Sequence, residues 1–226
     1  MCGRYTLNSS PRRIAEAFDA QLTIGLLDLE PRYNIAPSTA APVVRMVDRG
    51  RVLELMRWGL IPHWAPEPTM RYPTFNARSE EAAMKASYRG PMRYRRCLVP
   101  VDGFYEWRRH ERGPKQPYLV RMADGEPFAL AGLWDVWQDE LQSFTVLTTR
   151  PNSVMATIHD RMPVTVARAD HARWIDPGVQ DPRAVADLLE PVPSEAMTVT
   201  PVSAYVNQVR NEGPRCIEPE SPLAEE

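Results

Sequence analysis

Strand-like runs dominate this chain and helix signals are few, so the sequence predicts one domain built mainly on β-sheet with short helices around it. Three observations carry that reading. Runs rich in β-branched and aromatic residues recur at 3–7, 52–57, 97–107, 117–122, 128–134, 144–149, 163–167 and 197–202. The 23 prolines are spread along the chain and punctuate many short elements without marking one hinge. No internal repeat or low-complexity linker divides the 226 residues. A single domain over residues 1–217 is the simplest account, followed by an acidic, proline-containing tail at 218–226 that reads as disordered.

In chain order, Gly3-Arg4-Tyr5-Thr6-Leu7 opens as a strand. Ser10 and Pro11 then form an N-cap and first-turn pair for a helix over about 11–18. An extended Thr74–Arg78 would place Asn76 and Arg78 on one face, and Ser79 can cap a helix whose first turn holds Glu80 and Glu81. The run 97–107 reads as one strand carrying Asp102, Phe104 and Glu106 on one face and Tyr105 and Trp107 on the other. Arg150-Pro151-Asn152 precedes a helix to about 158, where Pro163 forces Met162 out of helical geometry. Asp181 and Pro182 repeat the cap signature for a helix over 182–189.

Composition narrows the function classes. With 43% hydrophobic residues the chain can bury a full core, and no uncharged apolar run approaches the ~18 residues of a membrane span. The start lacks the basic and apolar regions of a secretory signal, and three cysteines without a CxxC pair suggest neither a disulfide framework nor a zinc site. The expectation is a soluble, cytoplasmic protein with no membrane contact. Net charge is −2, yet Lys85 and Lys115 are the only lysines among 27 basic residues. Arginine suits bidentate phosphate recognition, although genome base composition produces the same bias. Arg89, Arg93, Arg95 and Arg96 share one stretch, while Arg4, Arg78 and Arg161 each sit beside a candidate chemical residue.

Those candidates begin with Cys2. Removal of Met1 would leave a free 1,2-aminothiol, whose amine can form an imine with an aldehyde and whose thiol can then close a thiazolidine ring; alternatively the thiol attacks a carbonyl with the amine as base. Glu106, among aromatics in an apolar strand, can have its pKa raised and shuttle protons, or it is an exposed edge-strand glutamate. His159 sits at a turn with Arg161 two positions on, and titrates in the useful range; a histidine there also simply complements a helix dipole. His63, His110 and His171 show no comparable company.

Taken in order, Cys2-Gly3-Arg4-Tyr5, Tyr33-Asn34-Ile35-Ala36-Pro37, Arg57-Trp58-Gly59-Leu60-Ile61-Pro62, Asn76-Ala77-Arg78-Ser79-Glu80, Gly103-Phe104-Tyr105-Glu106-Trp107, His159-Asp160-Arg161-Met162-Pro163 and Val206-Asn207 resemble the SOS response-associated peptidase (SRAP) family, which includes sensors that crosslink themselves to abasic sites in single-stranded DNA. The resemblance implies an α+β fold: a curved, mainly antiparallel, barrel-like sheet with peripheral short helices and a cleft containing the N-terminus. It implies that Cys2 supplies amine and sulfur, Asn76 orients or polarises the sugar, Glu106 moves protons and His159 assists ring opening. Arg4, Arg78 and Arg161 would hold phosphates, with Trp64 and Pro37 packing on bases near the lesion. The partner would be single-stranded DNA containing abasic sites, bound by a monomer without metal or organic cofactor. Two other classes stay open: an N-terminal-cysteine peptidase or amidohydrolase, and a non-catalytic single-strand binder.

Overall fold

A computed structural model describes residues 2–48, 50–109 and 113–221. Its strands are β1 (Tyr5–Leu7), β2 (Gln21–Leu22), β3 (Arg32–Ile35), β4 (Ala40–Val47), β5 (Gly50–Trp58), β6 (Asn76–Arg78), β7 (Arg96–Val101), β8 (Gly103–Arg108), β9 (Gln116–Met122), β10 (Phe128–Trp137), β11 (Leu141–Thr149), β12 (Met162–Pro163), β13 (Thr165–Val166) and β14 (Met197–Pro201). The α-helices are α1 (Pro11–Phe18), α2 (Ser79–Ala82), α3 (Arg89–Tyr94) and α4 (His171–Ile175).

One sheet runs β14-β9-β8-β1-β3, antiparallel throughout. The other runs β12-β11-β10-β7-β4-β5-β2, and β5 returns to pair in parallel with β11 at Ser143↔Arg57 and Phe144↔Trp58. That pairing closes β4, β5, β11, β10 and β7 into a five-stranded mixed barrel. Where β5 leaves, β6 takes over the parallel pairing, with Val146↔Asn76 and Thr148↔Arg78. The barrel-like, mainly antiparallel expectation therefore holds, with parallel pairs at the closure.

Trp58 is the plug of this seam. Fully buried, it packs 5.0 Å from Tyr5, stacks at 6.2 Å on Phe144 and meets Phe75 edge-on at 6.1 Å. Its indole Nε1 donates to the Phe75 carbonyl at 2.8 Å. At ~25 cal/mol per Å2 and ~150–250 Å2 for a large aromatic, this burial contributes on the order of 4–6 kcal/mol. Gly59, next in the chain, adopts φ 119°, which turns the backbone out of the seam at a conformation closed to most side chains.

Several local expectations are corrected. The run 97–107 is two strands, broken at Asp102, whose carboxylate accepts from the Asn8 and Ser9 amides and the Ser9 hydroxyl at 2.6 Å each. Helix α2 starts at Ser79 itself with Arg78 as the preceding residue, so Ser79 is inside the first turn and not its cap. The helix expected up to 158 is a single 3-10 turn, Met155–Thr157, in a stretch where Val154, Thr157 and Ile158 are β-branched and Asn152 Oδ1 takes the Met155 amide. Asp181 does cap its segment through the Arg183 amide, but Pro182–Leu189 is 3-10, with Val185 its one fully buried side chain. Helix α1 is as expected: Ser10 accepts from the Arg13 amide, and Ile14 and Phe18 face the core. In the acidic tail, Ser203 donates to the Glu218 carbonyl and Glu220 to the Pro201 carbonyl, both at 3.0 Å; residues 222–226 lie outside those described. Among the described residues no helix is long and apolar enough to cross a membrane.

Strand β10 runs through the middle of the barrel wall, and Gly132 lies where β7 comes close. A Cβ there would meet Cys97 Sγ at 2.7 Å and Val99 Cγ2 at 3.0 Å, both fully buried. Gly132→Ala is expected to lose about 1–3 kcal/mol of unfolding free energy by overpacking, measured by urea titration with an unchanged m-value.

Candidate active site

The four residues expected to carry chemistry arrive on four different elements. Strand β1 pairs with β8 at Tyr5↔Phe104, and the Tyr105 amide donates to the Arg4 carbonyl at 2.9 Å. Continued toward the N-terminus, that register runs Cys2 alongside Glu106 and Trp107. From the barrel side, the Asn76 side-chain amide donates to the Cys2 carbonyl at 2.6 Å. Its Oδ1 is buried and has no hydrogen-bond partner among the described residues. The charge of Asp160 acts on Glu106, and the charge of Glu106 acts on the Cys2 thiol, which brings the His159-Asp160 turn to the same place.

Burial sets the protonation states. Cys2 is fully buried, its thiol pointing to the Arg4 carbonyl at 3.9 Å; desolvation and then the Glu106 charge push its pKa far up. Glu106 is 2% exposed, on an interior strand between β1 and β9, so the edge-strand alternative does not hold. Desolvation raises its pKa from the ordinary carboxylate range to about 7. His159 is shifted down, chiefly by burial. Its Nδ1 receives the Arg161 backbone N–H at 3.0 Å and also lies 2.8 Å from Asp160 Oδ1. The two demands are exclusive for a neutral ring. The amide is fixed while the Asp160 side chain is 85% exposed and turns into water easily, so Nδ1 accepts and Nε2 carries the proton.

The three arginines expected at phosphates differ. Arg78 is exposed, and its charge lowers the pKa values of Glu80 and Glu81. Arg161 is engaged: it grips both Glu80 carboxylate oxygens at 2.6 and 2.7 Å and the Thr148 carbonyl at 2.5 Å. Arg4 donates to Asn34 Oδ1 at 2.7 Å and to the Val206 carbonyl at 2.9 Å, with its guanidinium over the Trp107 ring. Pro37 lines a groove of about 460 Å3 with Arg57, Trp58, Arg71, Tyr72 and Phe75. Trp64 is not on that wall; it projects half-exposed from the neighbouring loop.

Sequence reasoning assigned no role to two groups that hold this arrangement together. Asn34 is buried and its side-chain amide reaches the carbonyls of Val206, Gln208 and Asn211 at 3.3, 3.0 and 2.8 Å. With Trp107 Nε1 on Asn207 Oδ1 at 2.7 Å, it ties the C-terminal segment to β3 and β8, the two strands that flank β1. Asp135, fully buried, accepts from the His63 amide at 3.0 Å, lies 3.0 Å from His63 Nδ1 and pairs with Arg95. His63 therefore does have company, contrary to the sequence reading; His110 lies outside the described residues. Ile61 on Ser143 and Ala65 on Trp137, both at 2.8 Å, complete the anchoring, so the loop is tied inward on either side of Trp64. The motif Tyr33-Asn34 was visible in the chain, but the carbonyls that its side-chain amide reaches are 172 to 177 residues away and no spacing reveals them.

The model of the family "SOS response associated peptidase (SRAP)" matches residues 1–209, nearly the whole of this barrel and its candidate site. The chain belongs to that family. It is 36% identical over 222 residues to abasic site processing protein YoqW of Bacillus subtilis, covering 96% of this chain and 99% of that one. It is 35% identical to abasic site processing protein HMCES of Xenopus tropicalis, covering 83% of this chain and 66% of that one. A crystal structure from Bacteroides thetaiotaomicron shares the fold with a TM-score of 0.84 at 24% identity, covering 97% of this chain and all of that one. A phage-related protein from Bordetella bronchiseptica has a TM-score of 0.72 at 29% identity, covering 89% and 94% respectively.

The raised pKa of Glu106 has a thermodynamic signature. The folded state keeps the proton to higher pH than the unfolded chain, so the contribution is fully present below the ordinary glutamate pKa of ~4.3 and is lost as pH rises through about 7. Glu106→Gln should therefore flatten the fall in stability over that window and gain on the order of 2–3 kcal/mol relative to wild type at its upper end. Urea titrations across the window check this; parallel curves for the two proteins would mean Glu106 is ionised at no cost.

Proposed function

We propose that this chain processes abasic sites in single-stranded DNA by forming a covalent crosslink through Cys2. The observation that carries the reading is the environment of Cys2: a buried thiol held protonated beside a glutamate whose pKa lies near neutrality. Relatives named abasic site processing proteins support it.

With Met1 removed, the Cys2 amine attacks the C1′ aldehyde of the ring-opened sugar. Water leaves as the imine forms. The sulfur then adds to the imine carbon while the thiol proton passes to the nitrogen, closing the thiazolidine with net loss of one water. Glu106 is suited to carry those protons because a pKa of about 7 lets it give and take them near neutral pH. His159, with its proton on Nε2, can donate to the sugar ring oxygen as the ring opens. Asn76 holds the Cys2 carbonyl and offers Oδ1 to a sugar hydroxyl. Arg78 supplies charge toward the backbone, whereas Arg161 and Arg4 position the elements around it.

The same environment disfavours the peptidase reading. A cysteine nucleophile that attacks an amide works as a thiolate, favoured by nearby cations, and here burial and a carboxylate act the other way. The non-catalytic binder is separated by covalency.

Wild-type protein mixed with abasic single-stranded DNA should give a heat-stable band on a denaturing gel, absent with intact DNA. Cys2→Ser should give at most a labile, borohydride-trappable species; a heat-stable product at the native rate would exclude ring closure by sulfur. Glu106→Gln should crosslink about 10²–10⁴-fold more slowly at saturating DNA with near-normal affinity. The wild-type rate should climb as pH rises through about 7, where Glu106 ionises, and Glu106→Gln should lose that limb. His159→Ala should be slow on the cyclic sugar and recover on a substrate presenting an open-chain aldehyde.

A further inference from the structure

Beyond the lesion site, the stretch Arg89–Arg96 separates into two uses. Arg96 is buried and donates to the carbonyls of Met92, Asp176 and Val179, and Arg95 pairs with Asp135. Arg89 and Arg93 are exposed on α3, with no ion-pair partner among the described residues. They face a cavity of about 460 Å3 shared with Arg183 of the 3-10 segment and with Tyr94, which is 53% exposed.

That cavity adjoins a second, of about 380 Å3, through the common wall Ala83, Pro182 and Arg183. Its floor is apolar, with Met92, Ala186 and Leu189, and its near wall is Ser79 and Glu80. Every carboxylate along the two cavities is already neutralised: Glu80 by Arg161, Glu190 by Arg150 and Asp181 by Arg183. Arg89 and Arg93 are therefore the excess charge. The groove also begins beside the lesion site, since Ser79 and Glu80 follow Arg78 in the chain and Glu80 is held by Arg161 of the His159 turn.

Resting on the lesion reading above, we propose that this groove carries the DNA strand away from the abasic site, with phosphates against Arg89 and Arg93 and an unstacked base on the apolar floor. The charge matches a polyanion, the exposed Tyr94 and the floor offer stacking and apolar surface, and continuity with Asn76 and Arg78 gives the direction of travel. From Asn76 to Ser79 is roughly 10 Å of extended chain and α2 adds roughly 6 Å, so the far phosphates lie on the order of 16 Å from the lesion.

The test uses the full chain and single-stranded abasic oligonucleotides with arms of about one nucleotide on both sides, or with one arm extended to about fifteen on the 5′ or the 3′ side. Wild-type affinity should rise on extending one particular arm. The double variant Arg89→Glu/Arg93→Glu should lose that gain and reduce the salt slope on the long-arm substrate by about 1.4, that is ~0.7 per phosphate contact. Its crosslinking rate on the short-arm substrate at saturation should match wild type, and Arg89→Gln/Arg93→Gln should show a smaller loss in the same direction. Unchanged long-arm affinity, or equal losses on short and long arms, would overturn the groove as a strand path. So would loss of binding of a fluorescent mononucleotide with arm dependence intact, which would assign the groove to a free nucleotide. Failure of wild type to crosslink the short-arm substrate would instead sink the lesion reading.

Discussion

The rest of the structure depends on the seam at Trp58. A five-stranded barrel has to close somewhere, and here the closing pair is the short parallel contact of β5 with β11, two residue pairs long. Such a contact is weak by its hydrogen bonds alone. It is held because Trp58 fills the junction between Tyr5, Phe75 and Phe144, and because backbone bonds flank it, Trp58 to Thr39 and Gly59 to Phe144 at 2.9 and 2.8 Å. Tyr5 belongs to β1, the strand after Cys2, and Phe75 precedes Asn76. The residue that closes the barrel therefore also fixes two elements of the site.

The same coupling appears at the chain ends. Cys2 leads into a sheet that residues near 206–211 brace through Asn34, Arg4 and Trp107. A terminal nucleophile is useful only if it is held, since a terminus is otherwise the least ordered part of a chain. Burial achieves this and also fixes the chemistry. In a desolvated pocket the thiol stays protonated and Glu106 holds its proton to about pH 7.

What could be read in the chain and what could not follows from range. Strands such as β5, β9, β10, β11 and β14 announce themselves by β-branched and aromatic content, and Ser10-Pro11 by capping chemistry, because those signals are local. β4 is equally apolar, yet Pro42 within it argues against a strand, and it was missed. The short elements β2, β3 and α4 carry too few residues for a period to register. The helix expected before His159 fails because the cap is real but the stretch behind it is β-branched. Cys2, Asn76, Glu106 and His159 were individually legible as chemistry-bearing residues; that Asn76 holds the Cys2 carbonyl, and that Glu106 is interior, required the topology. The Asp135 clamp on His63 was invisible for the same reason, a separation of 72 residues.

Arginine usage is where local reading and structure part most clearly. Clustering in sequence suggested a common role, but the structure divides the arginines by where the strand or helix turns each one. Arg96 and Arg4 spend their donors on backbone carbonyls, a task for which five N–H groups in a rigid fork are well suited, and Arg161 and Arg95 lock carboxylates. A net charge of −2 is therefore a poor guide to what the surface presents. Acidic and basic groups that cancel in the count also cancel in space at Glu80, Glu190 and Asp181, and the field that remains comes from the arginines without a carboxylate beside them. A chain of net charge −2 thus still presents exposed cations, Arg89 and Arg93 among them, that no carboxylate among the described residues pairs.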